Sequence, residues 1–166
     1  AMMAYDTVNN STSTPKYRLW DGNTRWSEQS ASAFVGSELY NMQVRYAPTR
    51  DEAILVAITN TGQIQAQVFN GTTWWSPTTL STVGDTVNNP NGASLYRWFD
   101  IEYEQTSGDA IVIVADNTAD PDYYVWNGTS WTGPTNIDIP TTGRPLQIEL
   151  ASRTGSDELA FITLDS

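Results

Sequence analysis

The chain has 166 residues, with 19 acidic and 8 basic side chains and a formal net charge of −11. It contains neither cysteine nor histidine, which excludes disulfides, thiolate metal sites, cysteine nucleophiles and Ser-His-Asp triads. The acidic balance makes nucleic acids and membrane surfaces poor partners, because their phosphates repel it, and leaves neutral or cationic ligands such as glycans and metal ions.

Short strand patterns follow one another along the chain, and helical periodicity is nearly absent. The pattern repeats with a period of about fifty residues: strand, turn, apolar strand, turn, strand, Asn-Gly turn and a Trp-bearing strand, named A to D. The A strands and apolar B runs are "MQVRY" (42–46) with "EAILVAI" (52–58), "FDIEY" (99–103) with "DAIVIVA" (109–115), and "LQIEL" (146–150) with "ELAFITL" (158–164).

The two ends of the chain carry incomplete units. Residues 1–15 are predicted to be a flexible leader, and Ala1-Met2 is interpreted as a possible cloning remnant. The stretch "KYRLWDGNTRWSE" (16–28) has the pattern of strands C and D alone, whereas the third unit stops after strand B. This order indicates a permuted repeat fold in which the first strands complete the last sheet.

Tight turns with Asp-Gly or Asn-Gly join strands C and D. They predict type I′ turns with positive φ at Gly22, Gly71 and Gly128, because only glycine adopts that conformation without strain. The tryptophans that follow are predicted to pack between neighbouring units.

These units resemble β-propeller blades, in particular the tandem repeats of bacterial and archaeal surface proteins in which Trp-Asp-Gly or Trp-Asn-Gly, followed by Trp, ends each blade. They are distantly similar to the Asp-box of sialidase-like propellers, from which Gly directly after Asp21 departs. The resemblance implies an all-β fold of three four-stranded blades over residues 1–166, with an extracellular or prokaryotic cell-surface location favoured.

Three blades are too few to close a ring by themselves. Two chains supply six, so we expect a homodimer in which the N-terminal strands of one copy complete the C-terminal blade of the other. Such an exchange removes an exposed sheet edge. The alternative is a β-prism.

Strand alternation places polar side chains of the A strands on one face. In a propeller that face lines the central channel, where it is either a polar-ligand site or a solvated wall. The pair Asp100 and Glu102 lies about 7 Å apart on one strand, a separation compatible with a carboxylate-based glycosidase. The candidate ligand-binding residues of this region are Arg45, Arg97, Asp100, Glu102 and Glu149.

Two other groups of residues are candidates for binding. Trp75 and Trp98, which are interpreted as not recurring in the other units, are candidate platforms for sugar rings. Asp116, Asp120 and Asp122 offer hard oxygen ligands for Ca²⁺, although Asp and Asn are also common turn residues.

The favoured function is a non-catalytic binding module that recognises glycans or another cell-surface ligand. The alternatives are a structural or assembly module without a small-molecule ligand and, less favoured, a glycosidase. No cofactor other than Ca²⁺ is suggested by the sequence.

Overall fold

A computed structural model describes residues 1–6, 12–24, 26–82, 97–116, 118–139 and 143–165. Within these ranges the chain forms thirteen strands and no helix, so the described part contains no apolar helix of membrane-spanning length. All strand pairs within the sheets are antiparallel.

The strands form four sheets in chain order. The N-terminal sheet, with order β1-β2-β3, is followed by sheet two (β4-β5-β6-β7), sheet three (β8-β9-β10-β11) and sheet four (β12-β13). The strands are β1 Met2–Tyr5, β2 Lys16–Leu19, β3 Gln29–Ser30, β4 Leu39–Tyr46, β5 Ala53–Thr59, β6 Gln63–Phe69, β7 Thr78–Thr82, β8 Phe99–Tyr103, β9 Ala110–Val114, β10 Asp122–Trp126, β11 Trp131–Asn136, β12 Pro145–Ser152 and β13 Leu159–Asp165.

The predicted A-B-C-D meander is confirmed for sheets two and three, and the predicted A-B pair for sheet four. The N-terminal sheet differs from the prediction. Met2–Tyr5, placed in a flexible leader, forms β1 and pairs with β2 from Met2 opposite Leu19 to Tyr5 opposite Lys16. Residues 2–5 thus belong to the sheet, and residues 7–11 of the predicted leader lie outside the described residues.

One apolar core joins sheets two, three and four. The apolar B runs supply it, since Ile54 and Val56 of β5 and Val112 of β9 are all completely buried. Ile148 and Leu150 of β12 extend the same core to sheet four. The continuous apolar runs thus arise because each middle strand is covered on both faces, as expected for stacked blades.

The turns between the first two strands of each sheet correct the repeat register predicted from sequence. Each turn joins partners seven positions apart, Tyr46 with Ala53, Tyr103 with Ala110, and Ser152 with Leu159. When positions are counted from these turns, Glu149 is equivalent to Asp100. The spacing of the apolar residues in the sequence instead indicates Glu102 as its equivalent.

Positive φ is confirmed at all three hairpin glycines, with values of 103° at Gly22, 90° at Gly71 and 89° at Gly128. The type I′ prediction is wrong, because the loops are longer. Trp126 pairs with Trp131, so four residues lie between them. The side chain of Asn127 organises this loop by accepting hydrogen bonds from the backbone N–H of Thr129 at 3.0 Å and Ser130 at 2.9 Å.

Asp21 and Asn70 accept the same two backbone hydrogen bonds in their own loops. Asp and Asn are interchangeable here because only a side-chain oxygen is needed as the acceptor.

Replacing Gly128 with Val is expected to destabilise the protein more than replacing Gly22 with Val. Both positions have positive φ, which costs a β-branched residue on the order of 1–3 kcal/mol. At Gly128 a Cβ would also lie 3.0 Å from Cζ of Arg50, whereas at Gly22 it would meet no atom within 4 Å. Thermal melts of the two variants measure the difference, and equal melting temperatures would contradict the close approach of Arg50.

The A–B turns of consecutive sheets contact one another. Arg50 Nη2 donates to the Gly108 carbonyl at 2.6 Å, and the Tyr103 hydroxyl donates to Glu52 Oε1 at 3.1 Å. From sheet three to sheet four, Asp157 accepts hydrogen bonds from the backbone N–H of Thr106 at 2.8 Å and of Ser107 at 3.0 Å.

Asp157 is expected to make the protein acid-sensitive. The hydrogen bonds from Ser107 and Thr106 hold the pKa of its carboxyl below the ordinary value of 3.8. A lowered folded-state pKa contributes stability above the unfolded pKa, and this contribution is lost as the pH falls below about 4. We expect Asp157→Asn to lower the melting temperature at pH 7, with the difference shrinking at pH 3. Asp138→Asn, at an exposed position outside the turns, is the control, and a difference for Asp157→Asn that does not change with pH would contradict this role.

Candidate functional site

The candidate residues on and beside the A strands of sheets two, three and four contact one another in a network of ion pairs. Arg97 Nη2 lies 2.8 Å from Asp100 Oδ1 and 3.0 Å from Gln43 Oε1. Arg45 Nε lies 3.3 Å from Glu102 Oε2. The outer distances are longer, at 3.9 Å from Arg45 to Asp100 and 3.9 Å from Arg97 to Glu149.

Asp100 is the centre of this network and is completely buried. Its Oδ2 accepts the backbone N–H of Leu150 at 2.7 Å, and its Oδ1 accepts that of Ile101 at 2.8 Å. A carboxylate that is buried and bonded in this way holds strands together and has no open face toward a substrate. Asp100 therefore lies in the contact between sheets three and four and does not form an open carboxylate pair with Glu102, whereas Arg45 and Glu149 keep exposed side-chain surface.

The two tryptophans proposed as sugar platforms have different environments. Trp98 is buried, with Cζ of Arg144 4.7 Å from its ring centroid, so its face is not available. Trp75 is 43% exposed and packs edge-on against Trp126 of the next sheet, with 5.5 Å between ring centroids. Trp75 therefore both packs between sheets and presents surface to solvent.

The three carboxylates proposed as Ca²⁺ ligands are not gathered into a metal site. Asp116 Oδ1 accepts hydrogen bonds from the backbone N–H and hydroxyl of Thr118, at 3.0 Å and 2.6 Å, and Asp120 Oδ1 accepts from Ile139 N at 3.3 Å. Burial and the charge of Asp116 raise the pKa of the Asp122 carboxyl. The described part of the chain has no cluster of three acidic side chains suited to a metal ion.

The hairpin geometry shows that Trp75 does recur. Trp26 N donates to the Leu19 carbonyl at 3.0 Å, and Trp75 N donates to the Val68 carbonyl at 2.8 Å. Trp26 is thus the equivalent of Trp75. The sequence spacing carries the same equivalence, because Trp26 and Trp75 each lie four residues after the glycine of their Asp-Gly or Asn-Gly pair.

A cleft with aromatic walls lies where the N-terminal sheet meets sheet two. It has a volume of about 210 Å³. Two of its aromatic side chains, Trp20 and Trp26, are 47% and 45% exposed, so flat ring surface is open to solvent. The residues lining it are Ala1, Leu19, Trp20, Asp21, Trp26, Tyr46, Asp51, Phe69 and Gly71.

Loops and a strand end position these side chains. The Asp21 loop carries Trp20 on one side and Trp26 on the other, and Asp21 Oδ2 lies 3.5 Å from Trp26 Nε1. Tyr46 ends strand β4, and Asp51 belongs to the turn that follows it. The cleft is therefore assembled from a C–D loop of one sheet and an A–B turn of the next.

The polar groups of the cleft are mostly hydrogen-bond acceptors. The Tyr46 hydroxyl donates to Asp51 Oδ1, and burial together with this bond raises the pKa of Tyr46 to about 12. Tyr46 thus stays protonated at neutral pH. Backbone hydrogen bonds from Thr24 and Asn23 lower the pKa of Asp21, which keeps it a carboxylate. Two carboxylates beside exposed indole rings can accept hydrogen bonds from a ligand that is rich in hydroxyl groups.

A comparison with solved structures finds a similar fold in a lectin from Aleuria aurantia, a structure solved as a point mutant in complex with Fucα1-6GlcNAc. The TM-score is 0.61 at 14% sequence identity, over 99% of this chain and 50% of the lectin chain. The chain thus spans about half the length of that lectin. The likeness shows the fold: it is all-β and similar to a lectin of the β-propeller type. No protein-family model matches the sequence, and no curated protein matches it.

Sequence reasoning identified the ion-pair residues and Trp75 but not the cleft. Its missed residues are Trp20, Trp26, Tyr46 and the two aspartates, Asp21 and Asp51. The available signal was the hairpin alignment, since Trp26 and Trp75 occupy one position.

Proposed function

We propose that this protein is a non-catalytic, lectin-like module that binds a saccharide in the cleft between Trp20, Trp26 and Tyr46. The observation that carries the proposal is the pair of half-exposed indole rings beside two carboxylates in one cleft. Aromatic faces stack on the apolar face of a sugar ring, and a few convergent polar groups fix its orientation. The fold likeness to a lectin supports the same class of function.

A binding role on the loops is also consistent with the ion pairs of the A strands. Asp100 and its arginine partners are engaged between sheets, so they support the scaffold, and the ligand site lies on the loops. Loops on a rigid scaffold are common sites of recognition. A purely structural module is favoured by the burial of Trp98, but it leaves the exposure of Trp20 and Trp26 unexplained.

We further propose that two copies of the chain form one closed ring. Sheets two and three each have four strands, and the N-terminal and fourth sheets have three and two. In the proposed ring the two four-stranded sheets are blades, and the other two sheets each supply part of one further blade. Two copies of the chain would then form six blades, with the N-terminal strands of one copy completing the C-terminal blade of the other.

We expect Trp26→Ala to weaken saccharide binding by about five- to thirtyfold. Loss of one stacking face removes about 1–2 kcal/mol, and 1.4 kcal/mol is a factor of ten in affinity. A glycan array identifies ligands of the parent protein, with Fucα1-6GlcNAc included as a probe. Calorimetry then compares the variants on the best ligand.

The matched control is Trp75→Ala. Trp75 is the equivalent residue at the next sheet junction and is about as exposed as Trp26, but it does not line the cleft. Binding retained by Trp75→Ala and lost by Trp26→Ala supports the cleft. The reverse result would move the site to the junction of sheets two and three, and an array with no ligand would contradict the proposed function.

A further inference from the structure

Strand β13 has a free edge and an exposed apolar face. Within the described sheets it pairs with β12 alone, and Ile162 and Leu164 are 63% and 59% exposed. Counting from the A–B turn, these residues are equivalent to Val56 and Ile58 of β5, which are completely buried against sheet three. The face that β5 buries against the following sheet is therefore exposed in β13.

Strand β1 occupies the edge of β2 at which an equivalent B strand would lie. In sheet two the B strand β5 pairs antiparallel with β6, with Ile54 opposite Val68. The hairpin bonds make Leu19 the equivalent of Val68, and the turns make Ala160 the equivalent of Ile54. A β13 strand in this register would place Ala160 opposite Leu19, but Met2 of β1 lies there.

We propose that β13 of a second copy displaces β1 from the edge of β2, so that β1 is a placeholder strand for the partner. The inference rests on the proposed ring and adds how its closure is regulated. Both strands run antiparallel to β2, and they compete for one set of backbone hydrogen-bonding groups.

The described contacts favour the second copy over β1. Strand β1 has four residues, whereas β13 has seven, so β13 can form a longer ladder. Only Met2 and Ala4 of β1 pack against the neighbouring core clusters, and Met3 is exposed. Exchange would cover both the free edge and the apolar face of β13, which is the usual remedy for an aggregation-prone edge. Two-fold symmetry makes the contact twice.

The exchange would also add a residue to the cleft. Between sheets two and three, Glu52 accepts a hydrogen bond from the Tyr103 hydroxyl at 3.1 Å. The turn register makes Glu158 equivalent to Glu52 and Tyr46 equivalent to Tyr103. The turn of the second copy would thus bring its Glu158 to Tyr46, in the wall of the cleft. In the dimer this carboxylate would compete with Asp51 for the Tyr46 hydroxyl, and Ala1 would leave the cleft wall together with β1.

The first test is the mass in solution, by sedimentation equilibrium and light scattering over a range of concentrations. We expect the parent to reach twice the 18.4 kDa of one chain. Ile162→Asp should weaken association at least tenfold without changing the circular dichroism spectrum, since Ile162 is exposed in the single chain. Thr132→Asp, at an exposed position on β11 of the complete sheet three, should associate as the parent does. A parent that stays monomeric at all concentrations would overturn the inference.

The second test uses engineered disulfides. Because the chain has no native cysteine, the introduced cysteines can pair only with each other. Leu19→Cys with Ala160→Cys should give a covalent dimer on oxidation. Met2→Cys with Leu19→Cys should give an intrachain bond that holds β1 in place, so that the oxidised protein is monomeric and reduction restores the dimer. An oxidised, locked protein that dimerises as the parent does would show that β1 is not displaced.

The failure of this inference is separable from that of the proposed function. The glycan array and the Trp26→Ala comparison measure binding by the parent protein in whatever assembly it adopts. A parent protein that binds a saccharide but remains monomeric would support the proposed function and contradict the displacement of β1. A dimer that binds no saccharide would contradict the proposed function and leave the exchange of β13 for β1 to the disulfide test.

Discussion

Asp100→Ala is expected to lower the stability of the folded protein by about 1–3 kcal/mol, because it leaves a buried backbone donor without its acceptor and removes the nearest carboxylate of Arg97. That donor is the backbone N–H of Leu150, which has its acceptor at 2.7 Å. Sheets three and four are joined through this carboxylate, so the loss should be global. For a chain of this size, a melting temperature falls about 2–4 °C for each kcal/mol.

Two milder substitutions make this result specific. Asp100→Asn keeps an acceptor for Leu150 N but removes the charge beside Arg97, so its cost should be intermediate. Glu102→Gln changes a partly exposed member of the same network and should cost about 1 kcal/mol or less. A thermal melt of Asp100→Ala that matches the parent would show that the network does not hold the sheets together.

Trp126→Ala is expected to lower the stability of the folded protein by about 3–5 kcal/mol, because it removes a buried aromatic side chain. Trp126 is buried, with ring centroids 5.5 Å from Trp75 and 5.4 Å from Trp131. It therefore fills the junction of sheets two and three. Chemical denaturation measures this loss, and a change in the slope of the transition would indicate that the two sheets no longer unfold together.

The chain supplies its own control for this position. Phe69 is the equivalent residue of sheet two, where it precedes the Asn70 loop, so Trp126→Phe should cost clearly less than Trp126→Ala. Trp75→Ala removes a half-exposed ring and should cost about 1 kcal/mol. Equal losses for Trp75→Ala and Trp126→Ala would contradict the central position of Trp126.

The sequence allowed the repeat to be predicted because its signals are local. The apolar run 53–58 is buried on both faces, and such runs indicate a middle strand without reference to the rest of the fold. Positive φ at Gly22 follows from a similar local requirement. The lengths of the loops did not follow, because the side chain of Asn127 stabilises a four-residue connection where an Asn-Gly pair predicts two.

The site was harder to predict because it depends on register and on contacts between sheets. The candidates Arg45 and Asp100 lie within 3.9 Å of each other, but this pairing and the burial of Asp100 follow from how three sheets pack. Trp26 could have been identified as the equivalent of Trp75, because both lie four residues after the hairpin glycine, but its place in a cleft depends on how two sheets meet. The strand formed by Met2–Tyr5 is too short for its alternation to carry a signal.

The most direct test of the binding site is a ¹H–¹⁵N spectrum of the seven tryptophan indoles, recorded during titration with the best saccharide from the array and with Fucα1-6GlcNAc. Assignments come from single Trp→Phe variants. The account predicts shifts for the indole signals of Trp20 and Trp26, which line the cleft, and none for the buried Trp98. Saturable shifts at Trp75 or Trp98, with Trp20 and Trp26 unchanged, would contradict it.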